Sequence, residues 1–263
     1  MKLRIGSMIF ILSLLIAGCS GNNADTSSEK NNTSQTSQSN NKKTDNSTED
    51  NVKVKRFLND KEFSGNLYVV SSSKGNILID PGYYDKEVKD YIDSVGGIDA
   101  VLLTHGHWDH MNGLDELKSD FSKAPVYLPE KDKDFLDDPH LNQSEDMDFS
   151  LKVKSDVNLI KEGEQKIGGY NIKTIHTPGH TQGSVIYELN EENILFTGDT
   201  VLGDQLSTTY RPTGSDKDMQ DSLQEFLDMS FNKDTQFYYG HGESSNYEIL
   251  MEKNKELKEI KDK

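Results

Sequence analysis

The sequence Thr-His-Gly-His-Trp-Asp-His at residues 104–110 places three imidazoles and one carboxylate within six consecutive positions. Imidazole and carboxylate groups are good ligands for zinc and other borderline divalent metals. On an extended chain alternate side chains point the same way, so His105 and His107 can converge on one metal ion. Asp109 and His110 then turn towards a second position. For this stretch alone, the alternative is a histidine-rich surface loop without metal.

Three further candidate ligands lie elsewhere in the chain, each flanked by glycine and each just after a predicted strand. They are His180 in His-Thr-Pro-Gly-His-Thr-Gln-Gly-Ser at 176–184, Asp199 in Phe-Thr-Gly-Asp-Thr at 196–200, and His241 in Tyr-Gly-His-Gly at 239–242. Glycine lets the backbone turn sharply beside a crowded site. The repeated pattern predicts one metal-binding site built from several loops.

Hydrophobic patterning around these motifs predicts alternating strands and helices. Predicted strands span 52–58, 66–72, 76–80, 99–104, 124–128, 158–161, 170–175, 184–189, 193–197 and 235–239. Two predicted helices each have an apolar face, one formed by Val88, Tyr91, Ile92 and Val95 and the other by Met219, Leu223, Phe226 and Leu227. The segments 129–136 and 246–261 are also predicted to be helical. The acidic stretch 137–148 has no clear period and is predicted to be a loop. This order predicts a mixed α/β domain in which helices cover paired sheets.

These motifs together resemble those of the metallo-β-lactamase-fold hydrolases, and the resemblance runs from about Phe57 to about Gly242. It implies an α/β fold, the four-layer αββα sandwich, with the site at one edge of the two sheets. It also implies that Ile-Leu-Ile-Asp-Pro-Gly at 77–82 is the first family motif, in which Asp80 supports the metal-binding loop. The implied ligands are His105, His107 and His180 for one metal ion, Asp109, His110 and His241 for the other, and Asp199 as the bridge.

Within the superfamily, the strings at 176–184 and 196–200 are most similar to the glyoxalase II-like branch, which hydrolyses thioesters. Asp199 stands where some true β-lactamases of this fold have a cysteine ligand and others have no bridging ligand, which weakens a β-lactamase interpretation. The chain after Asp199 departs from the Gly-Arg-containing run usual in the glyoxalase II-like branch. Arg211 is the candidate to replace that arginine.

The implied reaction is hydrolysis by a hydroxide that bridges two divalent ions, zinc in the first instance, with iron or manganese also possible. The hydroxide attacks an acyl carbon of a small ester, thioester or lactone, and Asp109 orients it as the catalytic residue. A second hypothesis is a persulfide dioxygenase of the same fold, in which His105, His180 and Asp199 hold one Fe(II) ion. Two further hypotheses are a β-lactamase and a lipoprotein that binds metal without turnover.

Four more residues are candidates for supporting roles near the site. His176 is predicted to support the ligands or to be structural, because it lies four residues before His180 on an extended segment. Trp108 lies between ligands and is predicted either to shape the mouth of the pocket or simply to pack. Tyr210 and Arg211 are candidate substrate contacts.

The charge of the chain limits its partners. The 263 residues include 29 Lys and Arg against 45 Asp and Glu, a formal net charge of -16. Residues 1–50 contain five basic and five acidic groups, so the whole excess falls on residues 51–263. An acidic domain argues against nucleic acid or an anionic membrane surface as an electrostatic partner. The resemblance implies a small-molecule acyl substrate, while the substrate itself, the loaded metal and the oligomeric state stay open.

The N-terminal segment differs in composition from the rest. Two basic residues precede the apolar run 8–17, which is shorter than the ~20 residues of a membrane-spanning helix. Small residues before Cys19, the only cysteine, resemble the bacterial lipoprotein signal; a short buried helix is the alternative. The resemblance implies a signal peptide at 1–18, then a lipidated cysteine and disordered polar tether at 19–51, and the folded domain at 52–263. We expect an exported lipoprotein anchored to the outer face of the cell membrane.

Overall fold

The computed structural model describes residues 52–58 and 64–262. The predicted signal peptide, the lipidation of Cys19 and the polar tether lie outside these residues and stay predictions. Among the described residues, no helix is both long enough and apolar enough to cross a membrane.

Two six-stranded sheets form the framework of the domain. The first sheet contains, in spatial and chain order, β1 (Lys53–Phe57), β2 (Leu67–Ser72), β3 (Gly75–Ile79), β4 (Ala100–Leu102), β5 (Val126–Pro129) and β6 (Asn158–Ile160). The second contains β7 (Gly163–Ile167), β8 (Tyr170–His176), β9 (Val185–Leu189), β10 (Ile194–Gly198), β11 (Gln236–Tyr239) and β12 (Ser245–Asn246). The first sheet is antiparallel from β1 to β3 and parallel from there on. The second is antiparallel except for the pair of β10 and β11.

The helices lie between and after these strands. They are α1 (Lys86–Ser94), α2 (Trp108–Met111), α3 (Leu114–Asp120), α4 (Asp216–Asp228), α5 (Tyr247–Lys253) and α6 (Lys255–Lys261). Asp85 begins α1 as its N-cap, since its carboxylate accepts a hydrogen bond from the backbone N–H of Val88.

Alternating side chains of β3 explain how the layers stack. Leu78 packs in a cluster with residues of α1 and α3, whereas Ile77 and Ile79 face a cluster that contains residues of the second sheet. This follows from the two-residue side-chain period of a strand. On the far side of the second sheet, α4, α5 and α6 supply the apolar side chains of a third cluster. The layers are therefore helix, sheet, sheet and helix, which confirms the predicted αββα sandwich.

Most predicted strands and helices are present, but the helix predicted at 246–261 is two helices. The chain breaks at Asn254, whose side-chain oxygen accepts a hydrogen bond from the Leu257 N–H. Its side-chain amide donates to the carbonyls of Leu202 and Gln205. These contacts satisfy a buried amide by interrupting the helix, which the amphipathic pattern alone does not reveal.

Some elements have no counterpart in the sequence prediction. Strand β7 is mostly exposed, so its residues show no apolar alternation. Helices α2 and α3 are too short to establish a period. The stretch 137–148, predicted to be a loop, contains a 3₁₀ turn at Ser144–Met147. It is anchored by the buried Asn142, whose amide donates to two backbone carbonyls.

Candidate metal centre

The seven candidate ligands lie just beyond the ends of strands from both sheets. His105 and His107 follow β4 on an extended segment, and Asp109 and His110 lie on helix α2. The others follow strands of the second sheet: His180 after β8, Asp199 after β10 and His241 after β11. Strands β8, β10 and β11 run in the same direction, so their ends reach the same edge of the sheet. The fold thus brings ligands that are distant in sequence to one place.

The first ligand group consists of His105, His107 and His180, which are all buried. Nδ1 of His107 lies 3.1 Å from Nε2 of His105 and 2.9 Å from Nε2 of His180. Burial lowers the pKa of His107 to about 3 and that of His105 well below its usual value. Both rings are therefore neutral, as metal ligation requires.

The second ligand group consists of Asp109, His110 and His241. Oδ2 of Asp109 lies 3.2 Å from Nε2 of His241 and 3.6 Å from Nε2 of His110. The side chain of His110 is fully buried, whereas that of His241 is 39% exposed. This group thus reaches solvent through His241, which gives it an open side.

Asp199 contacts residues of both groups. Its Oδ1 lies 3.5 Å from Nε2 of His110. Its Oδ2 lies 3.5 Å from Nε2 of His180 and 3.4 Å from Nε2 of His241. A carboxylate that contacts ligands of both groups, with Oδ2 facing one ligand of each, is in the position of a bridging ligand.

Asp80 orients two of the ligand rings. One of its carboxylate oxygens lies 3.0 Å from Nδ1 of His110 and accepts a hydrogen bond from the Thr104 hydroxyl. The same hydroxyl lies 3.1 Å from Nδ1 of His105. Because the Thr104 hydroxyl donates to Asp80, it accepts from His105. In their neutral forms both rings therefore carry the proton on Nδ1 and direct the Nε2 lone pair towards the centre.

Two loops orient the remaining rings of the first group. Nδ1 of His180 lies 2.9 Å from the Thr208 carbonyl and 3.0 Å from the Ser207 hydroxyl, so its Nε2 faces inwards. His107 has the opposite orientation, because its Nε2 contacts the side chain of Gln143 and its Nδ1 faces inwards. Each ring thus has one nitrogen held by protein and one directed at the other ligands.

Electrostatics and unsatisfied atoms both indicate that the centre fits divalent cations. Burial opposes charge on His110, but Asp109 and Asp199 outweigh it and raise its pKa to about 9. Asp199 is also the main group that raises the pKa of His241 to about 11. Nε2 of His110 and Oδ1 of Asp199 are buried without a hydrogen-bond partner. A cation between them would satisfy both atoms, and a set of nitrogen and carboxylate donors suits zinc or iron.

Comparison with known families agrees with this geometry. A family model described as the Metallo-beta-lactamase superfamily matches residues 60–241. This chain belongs to that superfamily. It is similar to the protein "Probable metallo-hydrolase YqgX" of Bacillus subtilis (strain 168), with 32% identity over 180 residues that cover 67% of this chain and 84% of the relative. Such relatives support a hydrolase.

Solved structures of the superfamily resemble the domain closely. The crystal structure of BLEG-1, a B3 metallo-beta-lactamase, has a TM-score of 0.71 and 29% identity, covering 78% of this chain and 99% of that one. The di-iron-bound form of TTHA1623 has a TM-score of 0.64 and 26% identity, covering 72% of this chain and 93% of that one. The second comparison shows that a protein similar to this one holds two iron ions.

The four other residues predicted to act near the site have different surroundings in the structure. Nε2 of His176 lies 2.9 Å from the Gln182 carbonyl, and in the described part of the chain this ring has no hydrogen bond to a candidate ligand. The Tyr210 side chain is 75% exposed, with the Arg211 guanidinium 5.0 Å from its ring centroid. Trp108 packs edge-on against Phe149 at 5.4 Å. The structure therefore places the His176 ring against the backbone of a neighbouring turn, Trp108 against Phe149, and Tyr210 and Arg211 against each other.

Two residues that contact the centre or its loops were missed by sequence reasoning. Gln143 touches the ring of His107, and Asp132 is a buried carboxylate that binds the loops of three ligands. Neither lies in a motif, since Asp132 falls in the segment 129–136, predicted only to be helical, and Gln143 in the acidic stretch 137–148, which has no clear period. The only local sign at Gln143 is structural, a left-handed backbone with φ of 64°.

Proposed function

We propose that this protein is a binuclear metal-dependent hydrolase that acts on the acyl carbon of a small ester, thioester or lactone. The observation that carries the proposal is the contact of Asp199 with both ligand groups. Two sites joined by one carboxylate favour a pair of ions over a single one. The side exposed at His241 leaves room for a substrate, which separates a catalytic centre from a closed structural one.

Asp109 is the residue of this chain best placed to orient the attacking water. Bound ions would supply a hydroxide nucleophile at neutral pH and polarise the scissile carbonyl. Burial opposes charge on Asp109, but His110 and His241 outweigh it and hold the pKa of the carboxylate below its usual value. Asp109 is therefore an ionised carboxylate that can orient the attacking water by accepting a hydrogen bond from it.

The segments 143–149 and 207–211 border the centre, because Gln143 contacts His107 and Thr208 contacts His180. Together with Trp108 they form what we call the rim, which combines aromatic rings with one ion pair. Trp108 and Phe149 form an edge-on aromatic pair, and both Phe149 and Tyr210 are exposed. Nη1 of Arg211 lies 2.8 Å from Oδ2 of Asp146, which joins the two rim segments. A small acyl group fits against such rings, and we propose Trp108, Tyr210 and Arg211 as its contacts. The motifs at 176–184 and 196–200 favour a thioester, as in the glyoxalase II-like branch.

Zinc is the proposed metal, and iron in a binuclear arrangement is the main alternative because TTHA1623 is similar and di-iron-bound. A mononuclear Fe(II) dioxygenase would use His105, His180 and Asp199. In the described part of the chain, His105 and His180 form a compact group with His107, and His105 and Asp199 form one with His110, but the three do not form a group of their own. The binuclear hydrolase therefore accounts for more of the site.

A second candidate function is β-lactam hydrolysis. It is favoured by the similarity to BLEG-1, whose 29% identity and TM-score of 0.71 cover 99% of that chain. A bridging Asp199 favours an ester, thioester or lactone over a β-lactam as the substrate, because some true β-lactamases of this fold have a cysteine or no bridging ligand at this position. A β-lactam is also attacked at an acyl carbon, so the two candidates share the same metal chemistry and differ in the rim.

Metal content and substrate class can be tested together with Asp109→Asn. After metal quantification, the full chain is assayed on thioester, ester, lactone and β-lactam substrates. We expect about two metal ions per chain and turnover of one acyl class. Asp109→Asn should lower kcat by roughly 10²–10⁴-fold, the range for loss of a side chain that acts directly on the attacking water.

The matched control for this test is Glu116→Gln, an exposed acid on the next helix, which should leave kcat unchanged. One ion or none per chain would contradict the binuclear proposal. Unaltered turnover of every acyl substrate in Asp109→Asn would contradict the role given to Asp109.

We also propose that the chain is exported and anchored through a lipid on Cys19. Cys19→Ala should abolish incorporation of labelled fatty acid and move the protein from the membrane fraction to the soluble one. Ser20→Ala, which retains the cysteine, should behave as the wild type. A wild-type chain without label would show that the segment before Cys19 is not a lipoprotein signal.

A further inference from the structure

Asp132 is a fully buried carboxylate that none of the ligand groups includes. It lies in the 3₁₀ segment Glu130–Leu136 that follows β5, and its side chain is 0% exposed. An ionisable side chain is rarely retained in such a place unless hydrogen bonds compensate for its desolvation. The partners of Asp132 therefore indicate why it is there.

One oxygen of Asp132 joins two loops of the metal centre. Its Oδ2 accepts a hydrogen bond of 2.9 Å from the backbone N–H of Gly106. The same Oδ2 accepts one of 2.7 Å from the hydroxyl of Thr181. Gly106 separates His105 from His107, and Thr181 directly follows His180. A single atom thus connects the loops that carry all three residues of the first ligand group.

The backbone packs closely around this carboxylate. A Cβ added at Gly183 would overlap Oδ1 of Asp132, and one added at Gly106 would lie 2.5 Å from Cβ of Phe135. Both loops therefore approach the 3₁₀ segment at glycine positions, where no side chain keeps them apart. Close packing at these glycines and the hydrogen bonds to Asp132 together hold both loops against the 3₁₀ segment.

Asp132 acts on one ligand group only. Its hydrogen bonds reach the loops of His105, His107 and His180, and in the described part of the chain none reaches Asp109, His110 or His241. His110 is held instead by Asp80, which also reaches His105 through the Thr104 hydroxyl. Asp132 thus supports the first metal position only, whereas Asp80 reaches a ligand of each.

We propose that Asp132 is a positioning residue that fixes the spacing of His105, His107 and His180 and so sets the affinity of the first metal position. The inference rests on the proposed binuclear centre. Partners beyond the ligands typically change metal affinity by about 10–100-fold when removed. The effect expected here is selective for one of two binding steps.

The test is a titration of Asp132→Ala and Asp132→Asn with Co²⁺ and Zn²⁺ against a competing chelator. We expect Asp132→Ala to weaken one binding step by about 10–100-fold and to leave the other unchanged. Asp132→Asn keeps an oxygen acceptor and should restore part of that loss. The Co²⁺ absorption spectrum should change at one position only.

Two further variants keep the outcome decisive if Asp132→Ala does not fold. Thr181→Val removes one of the two hydrogen bonds to Oδ2 and should weaken the same binding step by a smaller factor. Asp134→Asn changes an exposed acid of the same 3₁₀ segment and should change neither step.

The outcomes separate this inference from the proposed function. If the wild-type chain binds two ions and the Asp132 and Thr181 variants bind both as tightly, the positioning role is wrong. If the variants lose thermal stability and both steps weaken equally, Asp132 is merely structural and the inference is also overturned. A wild-type chain that binds one ion or none would instead contradict the binuclear function.

Discussion

Asp199→Asn is expected to weaken metal binding at both positions and to abolish turnover. The substitution keeps the shape of the side chain but replaces its charge with a neutral amide. Asp199 faces His110 with one oxygen and His180 and His241 with the other, so both positions lose a ligand. We expect each affinity to fall by more than about 100-fold, the upper end for loss of an outer partner alone. Metal quantification after dialysis measures the effect.

The same variant also has a readout without metal. Asp199 is the main group that raises the pKa of His241 to about 11 in the metal-free centre, so that pKa should fall in Asp199→Asn. A titration of the histidine ring by NMR detects the change. Asp204→Asn is the matched control, because Asp204 is an exposed acid of the following segment. Full metal content in Asp199→Asn would show that Asp199 is not a bridge.

The position of the candidate ligands could be predicted because each is marked locally. His180, Asp199 and His241 each follow a strand and lie beside glycine, and the other four ligands fall in the single string at 104–110. A turn at a strand end needs few residues, so short strings are enough to specify it. The family resemblance of these strings also implied the αββα sandwich, which the structure confirms.

Residues that act across long distances in sequence could not be predicted in the same way. Asp132 reaches Gly106 and Thr181, which are 26 and 49 residues away. Gln143 reaches His107 from 36 residues away. Their segments look like acidic surface, because a buried carboxylate and an exposed one have the same letter in the sequence. Only the packed structure shows which acid is enclosed.

The differences between the predicted and observed secondary structure have a related cause. Strand β7 is exposed along most of its length, and it forms because β8 offers an edge to pair with rather than because its side chains alternate. The break between α5 and α6 arises because carbonyls at Leu202 and Gln205 need the amide of Asn254. In both cases a partner from another element decides the local conformation.

Gly240→Ala is expected to displace Asp199 and so remove metal from the centre without changing a ligand. An added Cβ at Gly240 would overlap Oδ1 of Asp199 and lie 2.9 Å from Cε1 of His110. Gly240 cannot move away, because its N–H donates to the Gly198 carbonyl and its own carbonyl accepts from Asn66. Overpacking of this kind costs about 1–3 kcal/mol, equivalent to a fall in Tm of about 2–4 °C per kcal/mol for a domain of this size.

Gly242→Ala in the same loop is the matched control that separates overlap from backbone strain. Gly242 has φ of +80°, so alanine there is strained, but its added Cβ has no neighbour within 4 Å. The strain costs on the order of 1–3 kcal/mol, close to the overpacking cost, so the two variants should lose similar thermal stability. Only Gly240→Ala should also lose metal, because only its methyl group meets the bridging carboxylate. Equal metal loss in both variants would attribute the effect to the loop around His241 and not to Asp199.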